Sequence, residues 1–182
     1  MLRSLVGSEM CIRDRFLLTL PMVGLSERFG LKQQAVILIE KIKGLTPGKF
    51  LSLYLFIREL AGFFSIRIQG HTQFIRPIVN PMAQAAGENK FGELDEKDQE
   101  KIKARAAANE NFGNFFAQNT FVAASGVLLI VGTLQSLGYD VAASSIAQAS
   151  LPIALIVLVI ATLSNLLFDR KLAKKYGKKE DK

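Results

Sequence analysis

Leu151 to Phe168, LPIALIVLVIATLSNLLF, carries no charged side chain, and its reading decides what kind of molecule this is. The charge-free run reaches back to Val141, and a second one covers Asn111 to Tyr139, with Asp140 alone between them. A bilayer span needs roughly 20 apolar residues. A soluble chain of 182 residues could bury one such helix but not two in succession. The expectation is an all-α, polytopic membrane protein with a C-terminal transmembrane hairpin, its spans at 111–138 and 151–168. The surrounding charge orients that hairpin. Seven Lys and Arg residues follow Phe168, the segment before Asn111 is charged, and 138–150 holds no Lys or Arg, which places both ends of the hairpin in the cytoplasm.

The charge distribution also disposes of a nucleic-acid reading. The net charge is +7, but the basic tail at 169–182 abuts a membrane span and offers one aromatic, Tyr176, where base stacking would need several. Cys11 is the only cysteine and His71 the only histidine, so no disulfide, Cys/His zinc spacing or His-rich metal site can be built within the chain, and no cofactor is implied.

Upstream of the hairpin the pattern is less regular. Phe16–Leu31 reads as part of a membrane helix containing Pro21, and 33–43 as a short interfacial helix with Ala35, Val36, Ile39 and Ile42 at helical spacing. Leu45-Thr46-Pro47-Gly48 reads as a turn before a membrane helix at 50–68, whose centre holds Arg58 and Glu59. Charges at that depth cost at least about 2.5–3.5 kcal/mol each unless they face protein or water. Neighbours in sequence point about 100° apart on a helix, so each must find its partner elsewhere. Gln69–Gly87 combines Pro77 and Pro81 with His71, Gln73, Arg76 and Asn80, a composition that suggests a broken or re-entrant helix. Lys90–Glu110 is charged and alanine-rich, and reads as a cytoplasmic helix over 95–110 with Asp95 as N-cap. Gly62, Gly113, Gly126 and Gly132 are read as points of close helix approach.

Two polar clusters therefore lie inside apolar sequence. The first is His71, Gln73, Arg76 and Asn80; the second includes Asn111, Asn114, Gln118 and Asn119, of which Asn111, Asn114 and Gln118 share one helical face. Carboxamides offer both a donor and an acceptor, and an arginine grips a carboxylate with paired hydrogen bonds, so these eight residues are the candidate binding residues for a small anionic solute. The competing reading is that the same groups glue helices together.

Met1–Arg15, MLRSLVGSEMCIRDR, has no helical or strand period and resembles the translation of a sequencing adapter. The expectation is an artefactual leader standing where a first membrane segment belongs. From residue 16 onward the sequence resembles a bacterial membrane family, domain of unknown function 969. The resemblance lies in FLLTLPMVGLSERFGL at Phe16–Leu31, GHTQFIRPIVNPMA at Gly70–Ala83, ENFGNFFAQNTFVAASGVLLIVGTL at Glu110–Leu134 and the closing FDRKL. It implies one subunit of a two-subunit 5-oxoproline transporter, with a second membrane subunit of a sister family as partner. It supplies no site residues.

Three function classes follow. A secondary transporter subunit for a small carboxylate fits broken, polar-studded helices. ATP-driven transport would need another chain, because no GxxxxGK[ST] loop is present. An accessory subunit that only stabilises a partner permease is the alternative. A membrane-embedded enzyme lacks a nucleophile with its base, paired acids or metal ligands, so no enzymatic activity and no catalytic residue is expected.

Overall fold

The structure, a computed structural model, describes residues 44–64, 66 and 71–177, with Gly30, Gln34 and Ile37 besides. The leader at 1–15, the helix expected at 16–31, most of the 33–43 segment and the end of the tail lie outside the described residues. Among those described the chain is all helical, with no strand: α1 (Pro47–Phe63), a π-helix (His71–Val79), α2 (Asn80–Phe91), α3 (Glu96–Gln118), α4 (Ser125–Ser136) and α5 (Ala143–Tyr176).

α1 begins earlier than a 45–48 turn would allow. Thr46 is the N-cap, its hydroxyl accepting from the Lys49 amide, and Pro47 sits in the first turn, where a missing N–H costs nothing. The decisive contact comes from α5. Asp169 accepts from the Gly48 amide at 2.7 Å, the Lys49 amide at 3.1 Å and the Thr46 hydroxyl, so a carboxylate closes the positive end of α1. Gly48 is required there, because a Cβ would stand 2.2 Å from the Asn165 carbonyl oxygen.

Pro77 and Pro81 take two amides out of the helical ladder. The chain responds by widening into i→i+5 turns over His71–Val79, with Pro77 inside them, and passes without interruption into α2. The segment is thus distorted rather than interrupted from His71 to Phe91. It runs back along α1: Tyr54 stacks on Phe74 with ring centroids 6.1 Å apart, while Gly87 lies near Pro47.

α3 is one helix from Glu96 to Gln118, so the charged stretch and the first part of the apolar run share a single rod. It ends where side chains take over its last carbonyls. Thr120 Oγ1 donates to Ala117 O at 2.6 Å and Asn119 Nδ2 to Phe115 O at 2.9 Å, local bonds that compete with further helix. The run at 111–138 is therefore broken at 119–124 before α4 resumes it. Gly138, at φ 85°, ends α4 in the left-handed conformation that glycine tolerates.

α1 and α3 run side by side in the same direction, and α5 returns antiparallel to both. Gly62 and Gly113 allow the close approach expected of them: added Cβ atoms would lie 2.4 Å from Ala117 Cβ and 2.8 Å from Arg58 Cγ. Gly132 does not, since nothing lies within 4 Å. Leu51, Tyr54, Val79, Ile102 and Phe168 form the core that joins these helices. At the same end, Asp98 ties α3 to α5 through Lys175 at 2.5 Å and Tyr176 at 2.9 Å, and bonds Lys101 at 2.7 Å. Burial disfavours its charge, but these donors outweigh that cost and hold the carboxyl well below the usual range. Hydrogen bonds to Asp95 and Asp98 raise Lys175 in turn.

The other end is different. α5 is the one helix among the described residues that is long and apolar enough to cross a membrane, and only 22 % of its apolar stretch is buried. Leu155, Ile160 and Leu163 on α5 are more than half exposed, as are Leu129 on α4 and Leu53 and Phe56 on α1. α4 is apolar but spans only Ser125–Ser136.

Candidate functional site

A cavity of about 480 Å³ opens where α3 stops and α4 begins. Its walls are Arg58 and Gly62 of α1, Asn114 and Gln118 of α3, the connection at Phe121, Ala123 and Ala124, and Ser125 and Leu128 of α4. That size falls within the range of small-molecule sites.

Arg58 lies on the buried stripe of α1 that also holds Leu51, Tyr54, Leu55 and Ala61. Its side chain is 5 % exposed, and its Nε donates to Glu110 Oε2 at 2.9 Å. The Tyr54 hydroxyl donates to the same oxygen, and Arg58 Nη2 donates to Asn114 Oδ1 at 2.6 Å. Gly113 offers bare backbone beneath the arginine stem, which lets the guanidinium lie across α3. Burying two ions is costly, and the pair survives because extra hydrogen bonds complete it. A guanidinium has five N–H donors, and these contacts use two.

The remaining polar groups converge on the same space. Asn114 accepts from Arg58 and so keeps its NH2 group as donor, and Gln118 follows one turn later on the same face. Ala124 is the N-cap of α4 and makes no side-chain cap bond, so the first amides of that helix have no side-chain acceptor from it. The cavity thus faces the positive end of a helix together with one paired arginine and two carboxamides. Such a lining can take a carboxylate and, beside it, a group that both donates and accepts. Among the described residues no cluster of three or more metal-ligating side chains occurs.

Around the helix from Arg58, Glu59 meets opposite surroundings. It borders a cavity of about 150 Å³ walled by Phe56, Phe63, Thr120, Ala154 and Leu158 among others. Its Oε1 is buried with no hydrogen-bond partner among the described residues.

The eight residues expected to bind solute are therefore dispersed. Asn114 and Gln118 line the 480 Å³ cavity. Asn111 is exposed and lies outside that lining, while Asn119 bonds Phe115 O at the end of α3 and adjoins Gly126. Arg76 is exposed on the π-helix and lines none of the cavities described here. Asn80 accepts from Gln84 Nε2 at 3.2 Å. The side chains of His71 and Gln73 lie outside the described residues. What the sequence reading passed over is Arg58 as a wall of the site, Glu110 as its partner, and the backbone of 121–125. One signal was available: Arg58 and Glu110 both sit roughly three to four turns into helices that start at the charged end, which brings them level when the helices run parallel.

No curated protein and no solved structure matches this sequence. A family model does, over residues 9–173, from inside the 1–15 segment to the last turns of α5, and the chain belongs to that family, described as protein of unknown function DUF969.

Proposed function

We propose that this chain is a subunit of a secondary transporter for a small carboxylate, 5-oxoproline being the first substrate to test, and that it works in the bacterial cytoplasmic membrane beside a second membrane subunit. One observation carries the reading: an apolar run that could have formed a continuous span is broken at 119–124, and the break adjoins a cavity lined by Arg58, Asn114 and Gln118. Irregular backbone at membrane depth is tolerated only where it is buried in protein or lines a polar space. Discontinuous helices whose N-termini face an anionic group are the recurrent form of such sites in secondary transporters.

The chemistry follows from the walls. The solute carboxylate takes the guanidinium donors left by Glu110 and Asn114, supported by the positive end of α4. The lactam N–H and C=O of 5-oxoproline pair with the carboxamides of Asn114 and Gln118. Glu110 keeps Arg58 neutralised when the cavity is empty, which lowers the cost of holding a cation at that depth.

The membrane layout is multi-pass. The α4–α5 hairpin crosses and returns with its charged ends and the C-terminus in the cytoplasm, and α1 with the π-helix and α2 enters from the cytoplasmic side and turns back. The exposed apolar faces of α1, α4 and α5 support this arrangement, since a helix apolar all round needs lipid or protein on every side.

Uptake of labelled 5-oxoproline by cells carrying both subunits tests the proposal. Uptake should require both chains, and Asn114→Ala or Gln118→Ala should cut it by about tenfold or more with insertion unchanged, the loss of one or two polar contacts to a solute. Arg76→Ala should leave it intact. No uptake with both subunits inserted would refute the substrate, and full uptake in Asn114→Ala/Gln118→Ala would refute the site.

A further inference from the structure

A second groove, of about 600 Å³, separates α3 from α5. The two helices are antiparallel, and one stripe from each lines it: Lys101, Arg105, Ala108 and Phe112 on α3, Lys171, Phe168, Ser164 and Ala161 on α5. From the level of Lys175 to that of Ala161 it runs about 21 Å. Its character changes along that length. Lys101, Lys171 and Lys175 flank its charged end, Arg105, Ala108, Asn109 and Asn165 its middle, and Phe112 and Ala161 its far end, where Phe112 is exposed.

The charges in this groove are not equivalent. Asp98, its one carboxylate, is occupied by Lys101, Lys175 and Tyr176. Arg105 and Lys171 make no ion pair among the described residues. Arg105 is nevertheless held in place: Nη1 donates to Ser164 O at 3.2 Å and Asn165 Oδ1 at 3.3 Å, and Cζ stands 4.4 Å from the centre of the Phe168 ring. Asp169, the acid whose charge Arg105 feels, is turned to the Thr46, Gly48 and Lys49 donors of α1. The result is a fixed cation with no directly bound carboxylate among the described residues, beside the last turn of the apolar stretch of α5, with Lys171 one helical turn beyond Phe168.

We propose that this groove binds one anionic phospholipid, its phosphate between Arg105 and Lys171 and an acyl chain along Phe112 and Ala161. The inference rests on the membrane placement of α5 argued above, and it is independent of which solute is carried. A basic rim that passes into an apolar floor at the depth where a span leaves the membrane matches the layout of a phospholipid, head to chain. A peptide or a free anion would use the rim but leave the apolar floor unmatched.

Native mass spectrometry of the full-length chain, extracted in mild detergent from vesicles of equal phosphatidylglycerol and phosphatidylcholine content, tests this. Phosphatidylglycerol adducts should outnumber phosphatidylcholine adducts about 25-fold. Lys171→Gln, on an exposed residue, should lower that ratio roughly fivefold, and Arg105→Gln/Lys171→Gln should abolish it, at roughly a factor of five per cation. Lys103→Gln, which removes an exposed partner of Glu100, should change nothing. Equal adducts in the unmodified chain, or an undiminished ratio in Lys171→Gln and the double variant, would overturn the lipid site. A chain that never enters vesicles would overturn the membrane placement as well, whereas an inserted chain without headgroup preference overturns the lipid site alone.

Discussion

The two ends of the α1, α3 and α5 rods solve different problems. At the end where Pro47, Glu96 and Tyr176 meet, charges are answered by neighbours: Asp169 closes α1, and Asp98 fastens α3 to α5. At the end where Phe63, Gln118 and Leu151 meet, large apolar side chains face outward, and the buried charge is concentrated in Arg58, Glu110 and Glu59. The first end has the surface of a protein in water. On the proposed membrane placement the second end faces lipid, and its few polar groups serve something other than solubility. The proposed site follows that difference: polar groups that cost least lie at the charged end, and those that cost most gather around the helix break.

Removing Arg58 should have the largest effect. Arg58→Ala leaves Glu110 buried without its cation, and should destabilise the chain by about 3–5 kcal/mol, measured by thermal unfolding in detergent. Arg58→Met/Glu110→Leu should recover most of that loss while uptake stays abolished. A chain indifferent to Arg58→Ala would mean that the pair is not buried in the protein as it exists.

Two glycines sharpen the contrast between packed and outward-facing helix. Gly62→Ala drives a methyl to 2.4 Å from Ala117 Cβ and should cost about 1–3 kcal/mol by overpacking. Gly132→Ala meets open space and should be neutral or stabilise by about 0.5–1 kcal/mol. Equal effects would show that α4 is as tightly covered as α1.

The smallest effect concerns pH. Asp98 is held below its ordinary value of 3.8, so its contribution is present above about pH 4 and is lost as acid takes the solution down through the folded value. Lys175 is raised above its ordinary 10.5, so its share is present below that pH and fades only in stronger base. Between those limits stability should not depend on this clasp's titration. Asp98→Asn should lower the unfolding midpoint by about 2–4 °C at pH 7, the size of a change near 1 kcal/mol, and should flatten the decline that sets in below about pH 4. An unchanged acid limb would assign that decline to other carboxyls.

Part of this was legible in the residues. The helical class and the long apolar helix follow from Leu151–Phe168, because a charge-free run of that length has few other uses. Asn114 and Gln118 could be placed on one face from their spacing, since the helical period is local information. The end of α3 could not be read from charge, because backbone hydrogen bonding continues past Glu110 regardless of side-chain polarity; Asn119 and Thr120 stop it by bonding backward. The same limit hid the partners of Arg58 and Asp169. Each contact spans helices far apart in sequence, and nothing local specifies how two rods are rotated against each other. Arg76 drew attention for the same reason: composition reports an arginine in apolar sequence without reporting which way it faces.

The proposed function requires the apolar end to lie in a bilayer with the charged ends on the cytoplasmic side. Thiol labelling tests that most directly. In a Cys11→Ser background, Tyr139→Cys at the α4–α5 turn and Lys174→Cys near the end of α5 are each exposed to a membrane-impermeant maleimide. The expected result is labelling of Tyr139→Cys in intact cells with the outer membrane permeabilised, and of Lys174→Cys only after the inner membrane is opened. Labelling of Lys174→Cys in intact cells, or of neither position until the inner membrane is opened, would contradict it.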